Sequence, residues 1–99
     1  MTRLEDVVER VRVAAAHPAL PGHFPGNPVV PGVVLLDRIA AAIERAQGAR
    51  LAKIASVKFL APLKPDEDAE LRVTRDGDRV RFRIDRGDDP ILRGEGEIA

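Results

Sequence analysis

The sequence predicts an α+β fold in which an antiparallel β-sheet wraps around one long central helix. Two observations predict it. Nearly every position from Val33 to Ile43 is apolar, which is typical of a buried helix. Several later segments alternate apolar and polar residues between short turn signals, as half-buried antiparallel strands do. The chain has 99 residues and shows no linker or repeat, so residues 1–99 are predicted to form one domain.

The helix is predicted to span about 33–47, a rod of roughly 22 Å, and Gly48 is expected to end it as a C-terminal cap. The segment before it is too rich in proline for a helix or a central strand. Its three Pro-Gly pairs, at 21–22, 25–26 and 31–32, suit type II turns. We therefore expect a stiff loop that holds His23 in a fixed place.

The patterns of the other segments predict five strands. They are 7–16, 51–60, 69–75, 79–85 and a last strand that includes 92–98. The strand at 51–60 is apolar enough to be central in the sheet. Gly94 and Gly96 lack side chains, so another part of the molecule is expected to approach their face closely.

Composition excludes several classes of function. Sixteen basic residues balance sixteen acidic ones, and Tyr and Trp are absent, so nucleic-acid binding is not expected. The absence of cysteine fits a reducing cytoplasm. The acidic N-terminus does not look like a signal peptide, and no apolar run is long enough to insert into a membrane.

The segment HFPGNPVVPGVVLLD, residues 23–37, resembles the active-site signature of the β-hydroxyacyl-acyl carrier protein dehydratases, the 3-hydroxyacyl or hydroxymyristoyl dehydratases. That family has the hot-dog fold. Its motif places a histidine before Phe-Pro-Gly and an acid in the following helix, and His23 and Asp37 match these positions. A weaker resemblance extends through 57–62. One departure is Ala41, where family members often carry Gln.

The resemblance implies roles for four residues. His23 is expected to remove the α-proton of the substrate. Asp37, if burial keeps it protonated, is expected to give a proton to the departing hydroxyl. Backbone N–H groups of Gly32 and Val33, at the start of the helix, are expected to bind the thioester oxygen. Without the resemblance, a loop histidine and a helical acid are more often structural.

The implied reaction is dehydration of 3-hydroxyacyl thioesters to trans-2-enoyl thioesters in fatty-acid, polyketide or polyene biosynthesis. The substrate is expected on the phosphopantetheine of acyl carrier protein, and no metal or redox cofactor is expected. Two alternatives stay open. In the first, the chain is a hot-dog thioesterase or isomerase. In the second, it is a carrier-protein-binding module that lacks turnover because Ala41 replaces Gln.

The partners implied are acyl carrier protein and a second copy of the chain. A long apolar helix needs more cover than a 99-residue domain easily supplies. The resemblance also implies a homodimer, or a higher homo-oligomer, whose active sites combine His23 of one subunit with Asp37 of the other. Five arginines are expected to form either a docking patch for the acidic carrier or the solvated face of a sheet. They are Arg72, Arg75, Arg79, Arg81 and Arg83.

Overall fold

The structure, a computed structural model, describes residues 7–15 and 29–99. One helix packs against a five-stranded antiparallel sheet with strand order β1-β3-β4-β5-β2. The predicted α+β class and the packing of one long helix on an antiparallel sheet are confirmed. The elements are β1 (Val7–Val11), α1 (Gly32–Gln47), β2 (Leu51–Phe59), β3 (Ala69–Asp76), β4 (Arg79–Arg86) and β5 (Asp89–Ile98).

The core lies between α1 and the inner face of the sheet. The alternation in β4 is confirmed, because Val80, Phe82 and Ile84 are all buried against the helix side. From α1, Leu35 and Ile39 fill the space above them. These side chains leave water completely, and burial of apolar surface is the main force that holds helix and sheet together.

Both ends of α1 follow local rules. The helix begins at Gly32, one residue before the predicted start, and ends at Gln47 as predicted. Gly48 has φ 63°, and its N–H donates to the carbonyl of Glu44 at 3.0 Å, so the predicted glycine cap is confirmed. On its β1 side, the helix is joined by an ion pair between Arg45 and Glu9, with 2.6 Å between Nη2 and Oε1.

The prediction that α1 is buried almost all round is wrong for the single chain. Its buried face consists of Val34, Leu35, Ile39, Ala42 and Ile43. The opposite face is open: Val33 is 63% exposed, and Asp37 is exposed as well. One sheet covers only one side of a helix, so the apolar residues on the other side have no cover within the described residues.

Two strand predictions also need correction. The first strand ends at Val11 and does not continue to residue 16, although Val13 beyond it is still buried. β2 is an edge strand of the described sheet, not a central one, because β5 is its one partner among residues 7–15 and 29–99. Its apolar residues are largely exposed: Ile54 is 40% and Phe59 is 50% exposed. An apolar pattern records which residues avoid water, and it does not say which surface covers them.

The expected close approach to Gly94 and Gly96 is confirmed. A Cβ on Gly94 would lie 2.6 Å from both the ring of Phe82 and the carbonyl oxygen of Ser56. A Cβ on Gly96 would overlap the carbonyl oxygen of Lys53. The pairing of β2 with β5 shifts register twice along this stretch. The two glycines therefore let β2 lie close against β5 where its backbone is irregular.

We expect Gly96→Ala to destabilise the protein by about 1–3 kcal/mol, the usual cost of forcing an extra carbon into a packed site. The midpoint of urea denaturation measures it. Glu97→Ala is the matched control in the same strand, because this side chain is 51% exposed, and it should change stability by no more than about 0.5 kcal/mol. A Gly96→Ala protein as stable as the wild type would show that β2 can move away from β5 without a loss of stability.

Candidate active site

The start of α1 presents two backbone donors. The residue before the helix, Pro31, is extended, with φ −60° and ψ 143°. The carbonyl of Pro31 accepts a hydrogen bond from Val34 N–H at 3.0 Å. The N–H groups of Gly32 and Val33 come earlier in the first turn and have no carbonyl partner within the helix. The helix dipole makes this end positive, so both amides suit an oxygen that becomes negative during reaction.

Asp37 lies on the open side of α1. It follows Val33 by four residues, so the two side chains lie one above the other on the same face. Both are exposed. Within residues 7–15 and 29–99, no ion pair involves Asp37. The expected burial of Asp37 therefore does not occur in the single chain, and it would require a second surface over this face.

His23 lies outside the described residues, as do His17 and the first two Pro-Gly pairs, whose turns were predicted from the sequence. The pairing of His23 with Asp37, and the role of His23 as a base, stay predictions. The described part of the segment begins at Val29. It joins the body of the protein at Val30, which is buried and whose N–H donates to the carbonyl of Leu63 at 2.8 Å.

An apolar groove of about 460 Å³ lies beside the start of the helix. In the described part of the chain, two segments that are distant in sequence line it, residues 29–32 with Leu35 and residues 59–63. The end of β2 is held there because Leu60 N–H donates to the carbonyl of Ile91 at 2.8 Å. Sequence reasoning missed this groove, although the weak family resemblance at 57–62 covers one of its walls.

Among the described residues that line the groove, Phe59 is the aromatic one. Its ring lies against the backbone of Gly32, and a Cβ on Gly32 would be 2.6 Å from the ring carbon Cζ. The ring therefore occupies the space that a side chain at position 32 would need. Phe59 is also 50% exposed, which is unusual for a large apolar residue that packs on a helix. The sequence analysis did not single out Phe59.

Arg86 and Glu67 fix the turn that follows the groove. Arg86 Nη1 donates to the carbonyl of Pro62, a groove residue, and to Glu67 Oε1, both at 3.0 Å. Glu67 Oε1 also accepts from Lys64 N–H at 2.8 Å. The hydrogen bond from Lys64 N–H, followed by the interactions with Arg86, lowers the pKa of Glu67 below its usual value. The wall of the groove is thus tied to β4.

The five arginines do not form one patch. Arg75 lies at the inner side of the sheet, where its Nη1 donates to the side chain of Gln47 at 2.9 Å. On the outer face, Arg72 pairs with Glu70, and Arg79 pairs with Glu95. Arg83 pairs with Asp85 at 3.2 Å. Most of these cations already have acidic neighbours, so the arrangement supports the solvated-face interpretation over a docking patch.

Arg38, beside Asp37 in the sequence, forms no ion pair with an acid of the described residues. Its Nη1 donates to the carbonyl of Arg12 at 3.4 Å, on the β1 side of the helix. Among residues 7–15 and 29–99, no three His, Cys, Asp or Glu side chains are grouped to hold a metal ion. In the same ranges, no helix combines the length and the apolar character needed to cross a membrane.

The family model of the ApeI-like proteins, described as ApeI dehydratase, matches residues 2–95. The chain belongs to the ApeI-like dehydratase family. The resemblance seen in the active-site motif is thereby confirmed. The match extends over nearly the whole chain, well beyond the motif itself.

Curated relatives of this ApeI-like chain are named 3-hydroxyacyl-acyl-carrier-protein dehydratase FabZ. The one from Thermomicrobium roseum is 35% identical over 100 residues, which cover 87% of this chain and 66% of the relative. The one from Lactobacillus helveticus is 40% identical over 67 residues, which cover 59% of this chain and 45% of the relative. The chain thus matches about half to two thirds of the length of these relatives.

Solved structures confirm the hot-dog fold. The dehydratase heterocomplex ApeI:P from Xenorhabdus doucetiae superposes with a TM-score of 0.84 at 24% identity, covering 100% of this chain and 95% of that one. The (R)-hydratase from A. caviae, described as involved in PHA biosynthesis, gives a TM-score of 0.74 at 16% identity. That alignment covers 99% of this ApeI-like chain and 96% of the hydratase.

Proposed function

We propose that this protein dehydrates 3-hydroxyacyl thioesters carried on acyl carrier protein, giving trans-2-enoyl thioesters. One observation carries the proposal: the first amides of α1 lie beside an apolar groove, and the acid Asp37 follows them on the open face of the same helix. The motif residue His23 precedes this end by nine positions. A donor pair, an acid and an apolar channel are what a 3-hydroxyacyl thioester requires. The family assignment and the FabZ names support the same reaction.

In the proposed mechanism, His23 takes the α-proton of the substrate as a base. The electron pair of that C–H bond forms the Cα–Cβ double bond, and charge builds transiently on the thioester oxygen. The amides of Gly32 and Val33 stabilise this oxygen. The Cβ–O bond breaks, and the hydroxyl leaves as water with a proton from Asp37. Transfer of the proton from His23 back to Asp37, through solvent, restores the starting state.

This chemistry uses only a proton acceptor, a proton donor and backbone amides, so the proposed reaction needs no metal or redox cofactor. The carrier protein supplies the phosphopantetheine arm that holds the acyl group. Fatty-acid, polyketide and polyene biosynthesis all use such a step, and we assign the chain to this group of pathways. A cytoplasmic location stays a prediction from composition.

We further propose that a second copy of the chain covers the open side of α1 and the edge strand β2. Large exposed apolar residues mark this region in the single chain: Val33, Ile54, Phe59 and Leu60 are 40–63% exposed. The edge strand offers unpaired backbone groups to a partner strand. The same partner would also cover Asp37, which is exposed in the single chain. The uncovered apolar surface of the described residues thus supports the dimer.

Mass spectrometry tests the proposed reaction. The protein is incubated with 3-hydroxyacyl carrier proteins of several acyl lengths, and the mass of each is followed. Loss of one water supports the dehydratase. Loss of the whole acyl group would support the thioesterase, and an unchanged mass would support a binding module. A shift of the double bond after water is lost would reveal isomerase activity.

Mixing two inactive variants tests the shared site. We expect a mixture of His23→Ala and Asp37→Asn proteins to regain about a quarter of wild-type activity after subunit exchange. Random exchange makes about half of the dimers mixed, and each mixed dimer has one intact site of two. Activity is measured with the carrier-bound substrate before and after exchange.

A site built within one chain would regain no activity on mixing, because every chain carries a defect. Each variant exchanged with itself is the control and should stay inactive. Size-exclusion chromatography of the wild type completes the test. If the wild type elutes as a monomer and has no activity alone, the result would contradict the homodimer. It would favour a complex with a different chain. The homologous structure from Xenorhabdus doucetiae is such a heterocomplex.

A further inference from the structure

We infer that Phe59 is a specificity-determining residue, whose ring closes the groove at the start of α1 and limits the acyl chain that fits. This inference rests on the proposed function. The first observation is the contact itself. The ring fills the space above Gly32, where a Cβ would lie 2.6 Å from Cζ and 2.7 Å from Cε1.

The second observation is the position of the ring relative to the proposed donors. If the Gly32 and Val33 amides bind the thioester oxygen, the acyl carbons nearest to that oxygen lie at the mouth of the groove. The groove walls there are apolar and include the buried residues Val30, Leu35 and Leu63. An alkyl chain that extends from the reacting carbons is stabilised when it packs against these walls. The ring of Phe59, which packs against Gly32, is one of the walls of this space.

The third observation is that the fold holds Phe59 firmly while leaving its ring half exposed. In the sheet, Phe59 lies opposite Leu92, which is completely buried. The N–H of the next residue, Leu60, donates a hydrogen bond to the carbonyl of Ile91 in β5. A fixed backbone with a 50% exposed ring suits a wall that a ligand contacts. It does not suit a core residue, since half of the surface of Phe59 stays exposed in the single chain.

Substrate competition tests the inference. The ratio of kcat/KM for 3-hydroxylauroyl to that for 3-hydroxybutyryl carrier protein is measured in wild type and in Phe59→Ala. We expect this ratio to rise by about tenfold or more, within the range that one or two methylenes produce in an apolar pocket. Val8→Ala is the matched control, because Val8 is 49% exposed on β1, at the opposite edge of the sheet. It should leave the ratio unchanged.

A double-mutant cycle tests the contact that carries the inference. Gly32 does not have a positive φ, so its backbone accepts alanine, and the three nearest atoms that the new Cβ would meet among the described residues all belong to the Phe59 ring. Gly32→Ala should therefore lower kcat/KM several-fold in the wild-type background. In the Phe59→Ala background the same change should cost much less, because the ring is gone. Equal losses in both backgrounds would overturn the inference.

Two further measurements keep the outcomes separate. Because Phe59 also lies on the exposed edge, size-exclusion chromatography and thermal unfolding accompany each variant. If Phe59→Ala fails to fold or dissociates, Phe59→Leu is used instead and must raise the kcat/KM ratio of the long to the short acyl substrate. An unchanged ratio overturns the inference. If the wild type dehydrates no substrate, the proposed function fails. The affinities of lauroyl- and butyryl-pantetheine are then measured in wild type and in Phe59→Ala. A ratio of the two affinities that is the same in both proteins overturns the inference.

Discussion

Dehydration should fall below detection when His23 is replaced by Ala, because the variant lacks the imidazole that is proposed to take up the α-proton. A lost general base alone costs about two to four orders of magnitude in rate. The rate is measured by the change in ultraviolet absorbance that accompanies formation of the enoyl thioester. Circular dichroism and thermal unfolding should show an intact fold, since the expected loss is one of chemistry and not of packing.

His17→Ala is the matched control for this variant. It removes the only other histidine of the chain, six residues earlier in the same proline-rich segment. We expect it to keep most of the wild-type rate. If His23→Ala keeps the wild-type rate while folded, His23 is not the base. If both variants lose activity equally, the segment acts through its conformation.

Asp37→Asn should lower the rate by about two to four orders of magnitude, because the amide keeps the shape of the side chain but cannot give up a proton as an acid. Stability should change little. Asp37 is exposed in the single chain, and surface substitutions usually alter the free energy of unfolding by less than about 0.5 kcal/mol. A dimer that removes Asp37 from water would even gain stability from the neutral amide.

Glu44→Gln is the matched control for Asp37→Asn. Glu44 lies two turns further along the same exposed face of α1. It should keep its activity, because it is about 10 Å further along the helix from the proposed donors. Both rates and both urea midpoints are measured. An Asp37→Asn protein that unfolds while Glu44→Gln survives would identify Asp37 as half of a structural ion pair.

Much of the fold is predictable because local rules act within a few residues. Alternation along β4 assigned Val80 and Phe82 to the core, and the structure buries them. Gly48 ends the helix because glycine adopts a positive φ without steric cost. The absence of side chains at Gly94 and Gly96 predicted a close neighbour, and the structure identifies it as the backbone of β2.

Part of the candidate site is predictable for the same reason. The spacing of His23 and Asp37 and the position of Gly32 before an apolar run are properties of the sequence, and family membership supports them. The groove is different. Phe59 and Gly32 are 27 positions apart, and no periodicity links them. Their contact exists only because β2 returns alongside the helix.

The sequence by itself determined which residues avoid water, where the helix ends and which motif precedes it. Only the tertiary structure decided that β2 lies at the edge, that Asp37 faces outward and that Phe59 covers Gly32. The physical reason is that hydrophobic burial has no direction. An apolar pattern states that a surface needs cover, but whether the same chain, a substrate or a second chain supplies it depends on how all the elements pack.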